Sequence, residues 1–444
     1  MKLDVQVSGK NVAYLYRERD EYVLQYLPEA AKQDFVSLTM PVRERAWRWP
    51  RDLHPFFRQN LPEGYLLGII REEFGPLLDG TDLSLLAVIG ASGIGRVTVT
   101  PEGVLPGVKF DPLQIEQLLN GNNSTEHFAS LVRRYARAAV SGVVPKFLAP
   151  SKPDTLPLGK PTLKTNKHII KGSDENTPYL GFNEFYTLRV LERLNVTPVA
   201  KSRMSEDGKI LVVERFDIDA QGYLRCGLED ACGLLGLPPH EKYVPSMEKV
   251  LHATRAYISG SSSRQQLEAL GWLILTNYVV RNADCHAKNI ALLYSSLADV
   301  AFAPAYDLVT TQAYPRFTSG QPALSVDGRK TWGMAKSLER FFNSRLGIPP
   351  RKYAEMVDML CESAFEVAKE IIEASNNESR WKEIANNMVH AWNDGMKSLN
   401  NSRSKMTHTG LSKLIAEAKL PDIKAAKNEK IVLGRSELLA SRNK

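Results

Sequence analysis

The segment that most constrains this chain is Arg281-Asn282-Ala283-Asp284-Cys285-His286-Ala287-Lys288-Asn289, which follows directly on the apolar, helix-forming stretch from Arg264 to Val280. An Asp and an Asn five positions apart, on a loop leaving a buried helix, can divide one task. The carboxylate accepts or orients a hydroxyl proton, and the amide oxygen holds a divalent ion. A second ligand for that ion stands 18 residues after Asn289, where Ala303-Pro304-Ala305-Tyr306-Asp307-Leu308 supplies Asp307. Upstream, Lys171 ends the strand-like run His168-Ile169-Ile170-Lys171, and Asn183-Glu184 opens a helix with Phe185, Leu188 and Leu191 on one side. A lysine ammonium placed among phosphates needs an orienting carboxylate, and Glu184 is the one at hand.

Lys171, Glu184, Asp284, Asn289 and Asp307 stand in the order used by protein kinases. In that order Asp284 is the catalytic base, and Asn289 and Asp307 are the metal ligands. Magnesium suits such a set, because it takes one or two carboxylates and completes its shell with water and phosphate oxygens. No zinc-like set competes: Asp284 with His286 gives two ligands, and Cys226, Cys232, Cys285 and Cys361 form no C-x-x-C pair and read as buried reduced thiols.

The expected fold class is α+β: a two-lobed, protein-kinase-like fold with a small N-terminal α+β subdomain and a mainly helical C-lobe. Alternation in Leu3-Asp4-Val5-Gln6-Val7 and Tyr22-Val23-Leu24 predicts short antiparallel strands in a first unit, residues 1–108, closed by the Pro and Gly of Pro101 to Gly107. Residues 109–217 form the N-lobe, with the strand Ile210 to Val213. Residues 218–400 form the C-lobe, with helices predicted over Met247 to Ile258, Arg264 to Val280, Arg351 to Ala374 and Glu378 to Leu399. A basic tail spans 401–444. It carries about +6 of the chain's +7, so the first 400 residues are close to neutral and give no general field for nucleic acid. Lys413, Lys419, Lys424, Lys427, Lys430 and Arg435 make this tail either a solvated helix or a contact to an acidic partner. The longest apolar run, Trp272 to Val280, is too short for a bilayer, and the start Met1-Lys2-Leu3-Asp4 has no signal-peptide core. A cytoplasmic protein without membrane contact is expected.

Three glycine patterns differ in meaning. Gly90-Ala91-Ser92-Gly93-Ile94-Gly95 misses both the hydrolase elbow and the Walker pattern and reads as a structural turn. Gly233 and Gly236 read as helix-end and turn glycines. Ser141-Gly142-Val143-Val144-Pro145-Lys146 precedes Lys171, where a kinase would carry its nucleotide-covering loop.

At these residues the chain resembles the HipA family of bacterial toxin-antitoxin serine/threonine kinases, over the first 400 residues or so. The blocks Ser37 to Pro41, Asn60-Leu61-Pro62-Glu63-Gly64 and Leu86 to Gly90 look like its N-terminal subdomain. Val213-Glu214-Arg215-Phe216-Asp217, Glu229-Asp230, Gly236-Leu237-Pro238, Lys242-Tyr243, Asn282 to Asn289 and Tyr306-Asp307 follow in the family's order. The resemblance implies ATP contacts from Lys171, from the loop residues Ser141, Gly142, Val143 and Val144, and from His286 and Lys288. It places Glu214 and Phe216 at the adenine hinge, Asp284 as base, and Mg2+ on Asn289 and Asp307. It also implies a helix-turn-helix antitoxin resembling HipB, operator DNA reached through the antitoxin complex, and a protein substrate in translation, typically an aminoacyl-tRNA synthetase. Two departures stand out. The family's usual autophosphorylated serine is Ala139 here, which leaves Ser141 as the candidate autophosphorylation residue, and its Gly-Arg-Asp is Gly90-Ala91-Ser92. Two other functions fit the same residues: a small-molecule or lipid kinase, which uses a similar loop, and a non-catalytic kinase-like regulator that binds an antitoxin and DNA.

Overall fold

The computed structural model describes residues 1–104 apart from 63, 76 and 77; 115–133 apart from 122, 125, 129 and 132; 162–219 apart from 166; 226–258; 263–399 apart from 334; and 406–422. Ala139, Ser141, Gly142, Val143 and Val144 lie outside the described residues, as do the boundary near 108 and the tail beyond 422.

The alternating N-terminal sequence forms an antiparallel sheet of β1 (Lys2–Val7), β2 (Lys10–Glu18), β3 (Glu21–Tyr26), β4 (Trp47–Pro50) and β5 (Val97–Pro101), in the order β4-β3-β2-β1-β5. Leu3, Val5, Val12, Leu15 and Leu24 join Phe56, Phe57, Leu83 and Leu86 in one core. Helices α1 (Gly64–Phe74) and α2 (Asp82–Ile89) belong to this unit, and Thr81 caps α2 by accepting from the Ser84 amide at 3.3 Å.

The second sheet, in the order β6-β7-β9-β8, comprises β6 (Thr162–Lys164), β7 (His168–Gly172), β8 (Ser202–Met204) and β9 (Ile210–Glu214). The unbroken apolar run of β9 has a physical cause: both faces of this sheet are covered. Leu211 and Val213 face α3 (Leu180–Leu194), while Ile170, Ile210 and Val212 face the N-terminal helices at Ile69, Leu85 and Val88. Because strand side chains alternate, Lys171 then points to the α3 side.

Helix α4 (Ala231–Leu235) and α5 (Met247–Arg255) lead into a helical lobe of α6 (Ser263–Val279), α7 (Pro350–Asn377) and α8 (Lys382–Leu399). A third sheet, β10 (Gly227–Asp230), β11 (Ala291–Ser296) and β12 (Asp299–Phe302), lies beside it. Helices α6 and α8 approach so closely that a Cβ on Gly395 would overlap the Val279 carbonyl, so the end of α6 rests directly on α8. Four helix ends differ from expectation by three residues or more, among them that of α7, which runs to Asn377 rather than Ala374. Helix α3 starts at Leu180 rather than Asn183, α5 stops at Arg255, and α8 begins at Lys382 after a short turn over Ser379–Trp381. Gly236, at φ +68°, does end α4. Gly233 corrects the helix-end reading: it lies inside α4, where a Cβ would stand 3.2 Å from Glu229 Cγ.

Polar contacts join the N-terminal unit to the segment between the lobes. The Gly95 amide donates to Asp217 Oδ2 at 2.7 Å, and Gln59 Nε2 donates to the Leu228 carbonyl at 2.9 Å. Gly95 is at φ +94°, and a Cβ there would sit 3.2 Å from the Leu228 nitrogen, which accounts for glycine at this position. Glu229, wholly buried, accepts from Ser37 Oγ at 2.7 Å and the Leu38 amide at 2.9 Å. Burial raises its carboxyl to about 7. A carboxyl that ionises near 4.5 when unfolded and near 7 when folded makes folding most favourable below the lower value. Stability from this group is therefore lost as pH rises through the window from 4.5 to 7, by about 3 kcal/mol. Thermal unfolding midpoints of the wild type and Glu229→Gln, followed from pH 5 to pH 8, should diverge, with the variant lacking this decline. Parallel curves would show that Glu229 is not its source.

Candidate active site

Three elements carry the site: strand β7, helix α3, and the chain from the end of α6 through the β11–β12 hairpin. Lys171 leaves β7 toward α3, where Glu184 waits with a side chain that is 0% exposed. The Lys171 ammonium lies 2.5 Å from Glu184 Oε1 and 2.7 Å from Asp307 Oδ1. The hairpin folds 18 residues back on themselves, so Asn289 Nδ2 donates to Asp307 Oδ2 at 2.5 Å. Residues from three regions of the sequence thus meet at one carboxylate.

Asp307 sits at φ +56°, a left-handed backbone that Asp tolerates better than most residues. Its neighbours hold it there. The Ala305 amide donates to the Pro198 carbonyl at 2.8 Å, the Ala200 amide donates to the Ala305 carbonyl at 2.9 Å, and Asn282 Nδ2 reaches toward the Asp307 carbonyl. Two residues before Asp284, Asn282 organises the loop: its Nδ2 donates to Asn277 Oδ1 at 2.7 Å, and its Oδ1 accepts the Asp284 amide at 3.0 Å. Thr311 accepts the Ala283 amide at 2.8 Å and donates to the Arg281 carbonyl at 2.9 Å. Arg281, at φ +57°, donates to the Asp394 carbonyl of α8 at 2.7 Å, and burial lowers its guanidinium to about 10, so it stays charged at neutral pH.

Asp284 Oδ1 accepts a hydrogen bond from the Tyr243 hydroxyl at 2.5 Å. His286 is buried and neutral, since burial lowers its imidazole to about 4. Cys285 beside the candidate base is no nucleophile: burial pushes its thiol up to about 12, and the thiolate is the reactive form. All four cysteines are buried. Lys288 lies in the turn over Ala287–Asn289, and its carbonyl accepts from the Tyr306 hydroxyl at 2.8 Å. The Tyr306 ring tilts against Phe216 with centroids 5.7 Å apart, which brings the chain after β9 to the site. Glu214, the last residue of β9, is exposed.

The donor set fits magnesium. Asn289 Oδ1 is buried with no hydrogen-bond partner, next to the Asp307 carboxylate. An orphaned amide oxygen of that kind is stabilised by a cation. Among the described residues no group of three or more His, Cys, Asp or Glu could hold a metal. Also among them, no helix is long and apolar enough to cross a membrane.

Asn183 was visible in the sequence only as the start of a helix, and its role emerges in three dimensions. Its Nδ2 donates to the Thr310 carbonyl at 3.0 Å, and its Oδ1 accepts the Thr310 amide at 2.8 Å. The helix that carries Glu184 is thereby pinned to the chain three residues past Asp307. Trp392 of α8 adds a bond from its indole to Thr310 Oγ1 at 2.6 Å.

Residues 138–368 match the profile of the HipA-like C-terminal domain, and residues 3–100 match that of the HipA N-terminal domain. Two Sinorhizobium fredii proteins that carry kinase names are similar in sequence. Y4mE is 28% identical over 80% of this chain and 88% of its own length, and Y4dM is 24% identical over 75% and 82%. Among solved structures, a chain from the Shewanella oneidensis toxin-antitoxin complex of HipA, HipB and operator DNA superposes with a TM-score of 0.66 at 21% identity, covering 90% of this chain and 100% of that one. The two-lobed, kinase-like fold expected from the sequence is the fold found.

Proposed function

Because the chain belongs to the HipA family, we propose that it is an ATP- and magnesium-dependent protein serine/threonine kinase, acting as the toxin of a toxin-antitoxin module. The observation that carries this reading is the meeting of Lys171, Glu184, Asn289 and Asp307 beside the loop of Asp284. In the proposed reaction Lys171, oriented by buried Glu184, neutralises phosphate oxygens of ATP. Asn289 and Asp307 would hold magnesium, which when bound offsets charge on the transferring phosphoryl group. Asp284 accepts the proton of the acceptor hydroxyl as its oxygen attacks the γ-phosphorus and ADP departs. Phe216 and the end of β9 at Glu214 border the adenine, and His286 and Lys288 stand on the phosphate side. Ser141, Gly142, Val143 and Val144 are further proposed nucleotide contacts, and phosphate on Ser141 would repel ATP by like charge.

The proposed substrate is a protein of translation, typically an aminoacyl-tRNA synthetase, with growth arrest as the consequence. The solved neighbour's complex with HipB and operator DNA supports an antitoxin and a DNA partner, and the proposed antitoxin is a helix-turn-helix protein through which the DNA is reached. A phosphoproteome of cells expressing the wild type, compared with cells expressing Asp284→Asn, tests the reading. It should yield serine or threonine sites present only with the wild type. Equal phosphoproteomes, or labelling confined to small molecules, would overturn it.

A further inference from the structure

We infer that Tyr243 is a positioning residue for the phosphoryl-transfer step, acting through Asp284 and resting on the kinase reading above. Its hydroxyl donates to Asp284 Oδ1 at 2.5 Å, yet the residue is 39% exposed. That combination is unusual for a packing residue, since an aromatic ring kept for the core would be buried. Exposure continues in the neighbouring Val244, so the segment that carries the hydroxyl lies at the surface.

The segment that carries this hydroxyl is tied to the loop of Asp284 and to the chain beyond Asp307. The Lys242 carbonyl accepts the Ala287 amide at 3.0 Å, which ties the tyrosine's segment to the loop of Asp284 and Asn289. Lys330 Nζ donates to the Tyr243 carbonyl at 2.6 Å, which ties it to the chain beyond Asp307. The Tyr243 ring stands edge-on to buried His286, with centroids 5.0 Å apart at 79°. Just downstream, the Met247 amide donates to the Ser325 carbonyl at 2.8 Å. A phenol fixed this firmly acts as a template for whatever accepts its proton.

What it templates is the plane of a carboxylate. The terminal torsion of an Asp side chain has a broad, shallow preference, so backbone bonds at Ala283 and Asp284 fix where the group begins but not how its oxygens face. A base must meet the acceptor hydroxyl within hydrogen-bond reach and in line, and small angular errors cost rate. A donor locked on Oδ1 removes that freedom, in the way the third member of a catalytic constellation orients the base.

Full-length wild type, Tyr243→Phe and Tyr243→Ala would be assayed with γ-labelled ATP, magnesium and heat-treated bacterial extract as the acceptor pool. The phenylalanine keeps the ring against His286 and removes only the hydroxyl. Expected for both variants is transfer at roughly a tenth of the wild-type rate, with half-saturating ATP within about twofold of wild type. Tyr243→Phe should also retain the wild-type unfolding midpoint. A phenylalanine variant as fast as the wild type, with only the alanine impaired, would mean the ring merely packs and would overturn the inference. So would a loss of ATP affinity equal to the loss of rate. A wild type that transfers no phosphate overturns the kinase reading itself, and this inference with it.

Discussion

Asp284→Asn is expected to lower phosphoryl transfer by roughly 10²- to 10⁴-fold, the range over which a positioned general base contributes. The substitution preserves size and keeps an oxygen to receive the Tyr243 hydroxyl, but removes the group that takes the acceptor's proton. Binding of ATP should survive, because the cation and ligands for the phosphates are separate groups: Lys171 is held by Glu184 and Asp307, and Asn289 by its own turn. Single-turnover transfer and equilibrium ATP titration on the same preparation separate the two effects. Turnover within tenfold of wild type would remove Asp284 from the role of base.

A second large effect is expected at Asp307. This side chain receives both the Lys171 ammonium and the Asn289 amide, so its loss exposes two groups at once. Asp307→Ala should weaken ATP binding at least tenfold in magnesium and abolish its dependence on magnesium, since phosphate charge is left poorly compensated. Alanine also fits the φ of +56° less well than aspartate does. Asp307→Asn is therefore the companion variant: asparagine tolerates that backbone and lacks only the charge. Calorimetric titration with and without magnesium is the measurement, and unchanged affinity across the magnesium series for both variants would contradict the assignment.

How much of this site was legible in advance depended on the kind of signal each residue leaves. Asp284 and Asn289 lie on one loop, so their fixed spacing could be read directly, and Asp307 follows at the end of a short hairpin. Lys171 was legible because a charge at the end of an apolar strand breaks a pattern, and Glu184 because such a lysine needs an orienting carboxylate in the helix that follows. Asn183 breaks no such pattern. As an asparagine near a helix start it imitates an N-cap, yet the helix begins three residues earlier, where the Phe182 amide donates to the Gly208 carbonyl at 2.9 Å and Gly181 lies against Ile210. Tyr243 and Glu229 were legible as members of familiar blocks but not as actors, since their partners stand 41 and 192 residues away in the chain. Gly233 misled because a glycine near a second glycine suggests a helix end. Its true constraint is the Glu229 side chain beneath it.

The clasp between Asn183 and Thr310 has a thermodynamic consequence. It ties the helix that carries Glu184 to the chain just past Asp307, so the carboxylate beside Lys171 is positioned from two sides. Where the parts of a site scatter, a ligand binds only the competent fraction of molecules, and the observed dissociation constant is larger than the intrinsic one by the inverse of that fraction. Each bond of the clasp favours the assembled arrangement, which raises that fraction and brings the observed constant nearer the intrinsic one.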